Sequence, residues 1–240
     1  MTTAAEEIPS LVRALHKLQV YLSQDFLGGP RLLKMSWVIN FQKGGTLVFV
    51  LLLMFLFGNF GLASWVYLAL HGSYGLCWII KHLAFKDRKW DMKITFGGAL
   101  MCFALTLGLY WVAPFLIVSG VSPAPSLPLV AVCIILHTLG VAIMLSADAQ
   151  KFFSLKFKTG LIADGMFKHI RHPNYLGEMM IYGAYALLAQ HIAAWLILAW
   201  VWLAVFLPNM AMKEISLSRF SEWKAYKART GFLLPKFFGR

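Results

Sequence analysis

Residues 129–147 read LVAVCIILHTLGVAIMLSA, nineteen consecutive positions without a charged side chain. A helix of about 20 such residues matches a hydrocarbon core of roughly 30 Å, so the stretch reads as a transmembrane span. Working outward, the same pattern recurs. A turn of Ser and Pro precedes it at 119–128, and before that lies a second apolar stretch at 94–118. On the other side come a polar stretch at 148–172 and further apolar runs at 173–189 and 192–207. Towards the N-terminus, apolar residues fill 46–57, with a possible earlier start near Trp37, and then run from the turn at 58–61 to about Ile80.

Charge placement turns these runs into a topology. The chain of 240 residues is 60% hydrophobic and 13% charged, against about a quarter charged for a soluble domain; only a bilayer makes so apolar a surface tolerable. All 22 Lys and Arg fall within residues 13–43, 81–93, 151–171 and 213–240. The loops at 58–61, 119–128 and 190–191 carry none. Positive charge accumulates on the cytoplasmic face, which predicts six spans with both termini cytoplasmic. The expected architecture is therefore an all-α, polytopic membrane protein, in the endoplasmic reticulum of a eukaryote or the inner membrane of a bacterium. The net charge of +12 punctuates spans and forms no soluble basic module, so no nucleic-acid partner is expected. No cleavable signal peptide is expected either, because no basic segment leads into an apolar core at the N-terminus. Cys77, Cys102 and Cys133 stand singly in apolar stretches with no metal-ligand spacing, so no metal is expected.

Three regions follow. Residues 1–43 form a cytoplasmic N-terminal segment in which Leu11, Leu15, Leu18 and Leu22 share one helical stripe, an amphipathic helix expected on the membrane surface. Residues 44–142 hold the N-terminal spans and residues 143–240 the C-terminal membrane domain. No Gly-x-Gly-x-x-Gly turn or P-loop is present, so any nucleotide is bound without those folds.

The chemistry concentrates after residue 143. Glu178 is the one acid inside an apolar span, and carboxylates at that depth tend to be functional because they are costly to insert. It closes the run Arg171-His172-Pro173-Asn174-Tyr175-Leu176-Gly177-Glu178. Proline suits a first helical turn. The free N–H groups of that turn with Arg171 make an anion site. Helical spacing places Arg171, Asn174, Glu178, Tyr182 and Tyr185 on one face. Asp148, Gln150 and Lys151 in the preceding polar stretch suit phosphates and ribose hydroxyls, and the tail adds Glu214, Arg219, Trp223, Tyr226 and Arg229. In the first half, His71, Tyr74, Trp78 and Lys81 share a face on which a carbonyl can be polarised or a proton donated; His137 is expected to be structural.

The Arg171–Glu178 run resembles the C-terminal domain of steroid 5-alpha-reductase-like membrane reductases. It does so together with Ser146-Ala147-Asp148-Ala149-Gln150-Lys151, the segment Gly165 to Ile170, and the ending Glu222 to Thr230 with Phe232 to Pro235. Related sterol reductases, isoprenylcysteine carboxyl methyltransferases and phospholipid methyltransferases are similar. The resemblance covers residues 143–238. It implies NADPH as cofactor, or S-adenosylmethionine on the methyltransferase branch. Cofactor contacts would come from Asp148, Lys151, His172, Asn174, Tyr175, Glu178, Tyr226 and Arg229, with Arg171 near phosphates. It also implies a lipid substrate within the bilayer, a sterol-like or isoprenoid enone taking a hydride at its β-carbon while Tyr74 or His71 polarises the carbonyl. The Glu that steroid reductases place in the N-terminal half has no counterpart here. A transporter or channel is disfavoured by the lack of repeat symmetry.

Overall fold

A computed structural model describes residues 9–236. The chain ends, Met1 and Arg240, whose cytoplasmic placement the charge pattern predicts, lie outside the described residues. The molecule is mostly helical. Among the described residues, β structure is confined to a short ladder, β1 (Leu33–Lys34) antiparallel to β2 (Lys93–Ile94), and one bridge between Ile170 and Gly231.

The helices follow in order. These are α1 (Ser10–Val20), α2 (Met35–Phe57), α3 (Leu62–Phe85), α4 (Phe96–Cys102), α5 (Val112–Val118), α6 (Leu127–Phe157), α7 (Pro173–Ala189), α8 (Ile192–Val201), α9 (Leu207–Leu217) and α10 (Trp223–Arg229). Four helical stretches are long and apolar enough to cross a membrane: α2, the composite Phe96–Val118, α6 and the composite Ile192–Leu217. Their outer faces expose Leu52, Phe55, Leu56, Ile135, Leu196 and Leu203, a surface suited to lipid rather than water.

Of the remaining two long helices, α7 is the more buried, while α3 also exposes Leu76, Ile80 and Leu83. The 17 residues of α7 include a run, Ile181–Ala186, that is buried throughout. Small residues let its neighbours come close. A Cβ on Gly177 would stand 2.6 Å from the Gly140 carbonyl oxygen and 2.7 Å from the Met144 nitrogen of α6. The backbones of α6 and α7 therefore touch, as small residues permit in membrane helices. On α3, Tyr67, His71, Tyr74 and Trp78 turn inwards and are buried.

Two helices are interrupted by single π-turns, at Phe103–Leu107 and Trp202–Phe206. Proline accounts for the second π-turn and for the 3₁₀ turn that follows the first. Pro208 has no N–H for the Ala204 carbonyl, within the second π-turn. Pro114 has none for Tyr110, inside the 3₁₀ turn Gly108–Trp111. The Trp200 indole N–H donates to the Leu105 carbonyl at 2.9 Å, so the two interrupted segments are joined there.

Several boundaries differ from those read in the sequence. The first long helix begins at Met35, close to the earlier start near Trp37 rather than at 46, and so carries Lys43 inside it. Helix α6 runs on to Phe157, so residues 148–157 are helical rather than loop. Helix α1 packs against α9 and the second π-turn, adding a wall to the molecule; its Leu11 and Leu18 remain exposed.

Candidate functional site

Helices α1, α2, α3, α6, α7 and α9, with both π-turns, enclose a chamber of about 580 Å3, within the range of small-molecule sites. One end is charged. Lys81 and Asp148 form an ion pair there, and Lys151 pairs with Asp87 at 2.6 Å. Burial alone would raise the Asp87 carboxyl, but the nearby Lys151 ammonium outweighs it and holds the group below the usual aspartate range. Lys89 is exposed at the rim and Lys213 half-buried. Both line the chamber, and neither has a salt bridge among the described residues. Altogether five lysines and three carboxylates line it, leaving an excess of positive charge for a ligand to neutralise.

One wall is the first two turns of α7. Pro173 at its start lets the chain enter the helix without losing a hydrogen bond, and Gly177 seats the opposite face against α6. Asn174, Tyr175 and Glu178 then line the chamber. Two acceptors in this wall are unsatisfied. The Asn174 side-chain oxygen is buried and has no partner. The Glu178 carboxylate makes no hydrogen bond or ion pair among the described residues. Lys43, Lys81 and Asp148 are its charged neighbours. Buried polar groups are nearly always paired, so the Asn174 oxygen marks a place for a donor from outside the chain, and the Glu178 carboxylate opens onto the same space.

Next to this charge the lining is aromatic, with Lys81 Nζ 4.2 Å from the Trp78 ring centroid. Tyr110 and Tyr182 stack with centroids 3.7 Å apart, and Trp78 lies beside them in the lining. Lys43 reaches in from α2. Its Nζ donates to the Tyr74 hydroxyl at 3.0 Å and to the Tyr182 hydroxyl. Apolar lining comes from Leu105, Leu107, Val205 and Phe206 of the π-turns. Both turns thus open onto the chamber, a frequent position for such irregularities.

The residues singled out in the sequence divide into three groups. Asp148, Lys151, Asn174, Tyr175 and Glu178 line the chamber together. Arg171, His172, Tyr226 and Arg229 do not; they belong to a clasp behind the start of α7. Arg171 Nε is 2.5 Å from Glu214 Oε1, and its Nη1 donates to the Thr230 carbonyl at 2.5 Å. His172 Nε2 lies 3.3 Å from the same carboxylate oxygen. Tyr226 donates to the Phe167 carbonyl at 2.8 Å, and burial pushes its phenol up to about 12. Arg229 sits 5.8 Å from the Tyr226 ring. Arg171 accordingly does not share the Glu178 face: His172 has φ −128° and ψ 55°, so the helical periodicity does not extend back past Pro173. The third group is buried beneath the chamber floor. His71 stacks on Tyr185 at 4.4 Å and its Nδ1 is 2.8 Å from the Tyr67 hydroxyl. Tyr74 meets the lining through Lys43.

Lys43, Lys89, Tyr110 and Lys213 were not expected. The signal for Lys43 was available: if the apolar residues from Met35 to Gln42 are counted into the first span, a lysine falls inside it, and such residues are rarely idle.

A family model describing proteins of unknown function, DUF1295, matches residues 21–232. The chain belongs to this family. Two uncharacterized proteins of Schizosaccharomyces pombe are similar. One is 49% identical over 41 residues, covering 17% of this chain and 15% of the relative. The other is 28% identical over 95 residues, covering 37% of this chain and 28% of the relative. The matches thus span less than a third of the length of these curated relatives. No solved structure gives a significant match.

Proposed function

We propose that the protein is a membrane-embedded, NADPH-dependent reductase of a carbon–carbon double bond in a sterol-like or isoprenoid lipid, with six spans and both ends in the cytoplasm. The observation that carries the reading is the mixed lining of one chamber: lysines without a carboxylate partner, acceptors free to receive a hydrogen bond along one wall, and aromatic and apolar side chains beside them. A phosphate-bearing cofactor answers to Lys89 and Lys213, which line the chamber and have no salt bridge among the described residues. S-Adenosylmethionine, which has no phosphate, leaves that charge unmatched. The resemblance of the Arg171–Glu178 run to steroid 5-alpha-reductase-like enzymes supports the same choice.

In this reading Lys89, Lys151 and Lys213 hold the phosphates through charge-assisted hydrogen bonds. Asn174 Oδ1 and Glu178 accept hydrogen bonds from amide or hydroxyl groups of the cofactor. Bound there, NADPH supplies a hydride. The chain supplies orientation and keeps water away, with Leu105, Leu107, Val205 and Phe206 contacting the lipid and α1 closing one side. The clasp of Arg171, Glu214 and Thr230 acts at one remove, fixing the C-terminal segment against the start of α7.

The test is the melting temperature of the detergent-solubilised protein with NADPH, NADH or S-adenosylmethionine. At a hundredfold excess over the dissociation constant a specific ligand stabilises by about 2.7 kcal/mol. The expected result is stabilisation by NADPH, less by NADH and none by S-adenosylmethionine. Stabilisation by S-adenosylmethionine alone moves the protein to the methyltransferase branch.

A further inference from the structure

The floor of the chamber contains a charge that the cofactor site does not use. Lys43 is 4% exposed, and among the described residues no carboxylate forms a salt bridge with it. Its Nζ instead donates to the hydroxyls of Tyr74 and Tyr182. It also lies 4.4 Å from the Tyr74 ring centroid, 4.8 Å from that of Tyr182 and 5.0 Å from that of Trp78. The titratable and charged groups facing it are Tyr74 and Lys81 on α3, Tyr110 on the 3₁₀ turn, and Glu178 and Tyr182 on α7. Burying an ammonium with no directly bound anion costs several kcal/mol. A purely structural tie between two tyrosines can be made by a neutral amide. The position is also accessible from inside, since both Lys43 and Tyr182 line the chamber.

An ammonium has donors only, so both phenolic oxygens accept from it; the two hydroxyls also adjoin one another, and of the two it is Tyr182 that lines the chamber and can turn its proton to a ligand there. A cation and a phenol held together where negative charge can develop have the arrangement of an oxyanion site. Resting on the reductase reading, we propose that Lys43 and Tyr182 form the acid at the chamber floor that binds the carbonyl oxygen of an enone lipid and protonates it as the double bond is reduced.

The step balances as follows. A hydride adds to the β-carbon, the carbon–carbon π pair moves to form a new α-carbon–carbonyl-carbon double bond, and the carbonyl π pair moves onto oxygen. The Tyr182 O–H bond breaks and its proton goes to that oxygen, giving an enol. A proton passes from Lys43 to the Tyr182 oxygen, and Lys43 regains one from water at the charged end of the chamber. The enol then tautomerises to the saturated ketone. The net consumption is one hydride and one proton, with the hydride donor of the proposed function as reductant.

The experiment uses the full chain with NADPH and cholestenone, a sterol enone, labelled with carbon-13 at its carbonyl. Wild type, Lys43→Met and Tyr182→Phe are compared by turnover, by NADPH affinity and by the infrared carbonyl stretch of bound cholestenone. The expected result has three parts. The stretch moves to lower frequency on binding to wild type and returns towards its detergent value in Lys43→Met. Turnover falls by about 10²–10³ in each variant, the range of general acid catalysis. NADPH affinity stays within about threefold in Tyr182→Phe, which leaves every group assigned to the cofactor in place. If Lys43→Met does not fold, Tyr182→Phe carries the test, because it leaves the buried charge in place. Turnover within about threefold of wild type in the folded variants, or an unshifted carbonyl stretch in wild type, overturns the inference while leaving the reductase reading intact. A wild type that binds neither NADPH nor cholestenone overturns both.

Discussion

Replacing Glu178 with glutamine separates a cofactor ligand from a structural counter-ion. The substitution keeps shape, removes the charge and turns half of the acceptor into a donor. Glu178 has no hydrogen bond of its own among the described residues, so none inside the protein is broken. Lys43 and Lys81 lose an attractive neighbour, which is offset because an amide is cheaper to bury than a carboxylate. The apo melting temperature is therefore expected to change by no more than a few degrees. Cofactor affinity is expected to suffer more. A hydrogen bond to a charged group contributes about 1.5–3 kcal/mol, so losing one weakens NADPH about ten- to a hundredfold. Calorimetric titration with NADPH, alongside apo melting, reads both quantities on one preparation. A large fall in apo stability with near-normal affinity in the surviving fraction would identify Glu178 as the counter-ion of Lys43 and Lys81. Normal stability with normal affinity would show that the chamber wall is not the cofactor site.

Three further outcomes follow from the same geometry. Arg171→Met leaves Glu214 buried with, among the described residues, His172 and Lys227 as its remaining basic neighbours; breaking one side of such a pair costs about 3–5 kcal/mol. Chemical denaturation should report that loss, while NADPH affinity in the folded fraction stays near normal. Exchanging Lys89 and Lys213 together for methionine should weaken NADPH about tenfold or more, because the pair is partly solvent-screened; the defect should narrow as salt is raised, and titration at low and high ionic strength checks it. Cysteine labelling at residues 59, 123 and 190 should proceed from the outer face and at residues 88 and 160 only from the cytoplasm, and outer labelling at 160 would refute the six-span topology.

The sequence was most legible where strong local signals agreed. Helix α7 begins at Pro173 and ends at Ala189, as read, because proline fixes the start and the left-handed Gln190 at φ 47° ends it. The composite Phe96–Val118 also falls close to its expected limits. Lys43 misled the reading of α2, since a lysine beside an apolar run looks like a cytoplasmic flank, and only the tyrosines from α3 and α7 explain how it is accommodated inside. The polar residues after Ala147 suggested a loop, yet Asp148 and Lys151 stay helical because each has an ion-pair partner on the segment 81–87. Of the candidate site, the chamber-lining group from Asp148 to Glu178 was legible from local pattern. The separation of Arg171, His172, Tyr226 and Arg229 into a clasp was not, because it depends on Glu214 and Thr230, distant in sequence. The stripe on α1 was correctly amphipathic, but periodicity does not say whether an apolar face meets lipid or α9.

The central claim is hydride transfer to a membrane lipid, and isotopic label transfer tests it most directly. Purified protein is incubated with lipids extracted from its host membrane and with NADPH deuterated at the transferable position of its nicotinamide, and the lipids are analysed by mass spectrometry. The account predicts a lipid that has lost one double bond and carries one carbon-bound deuterium, formed about 10²–10³ times more slowly when Lys43→Met replaces wild type. Lipids that remain free of deuterium, but acquire a labelled methyl group when labelled S-adenosylmethionine is supplied instead, would contradict it.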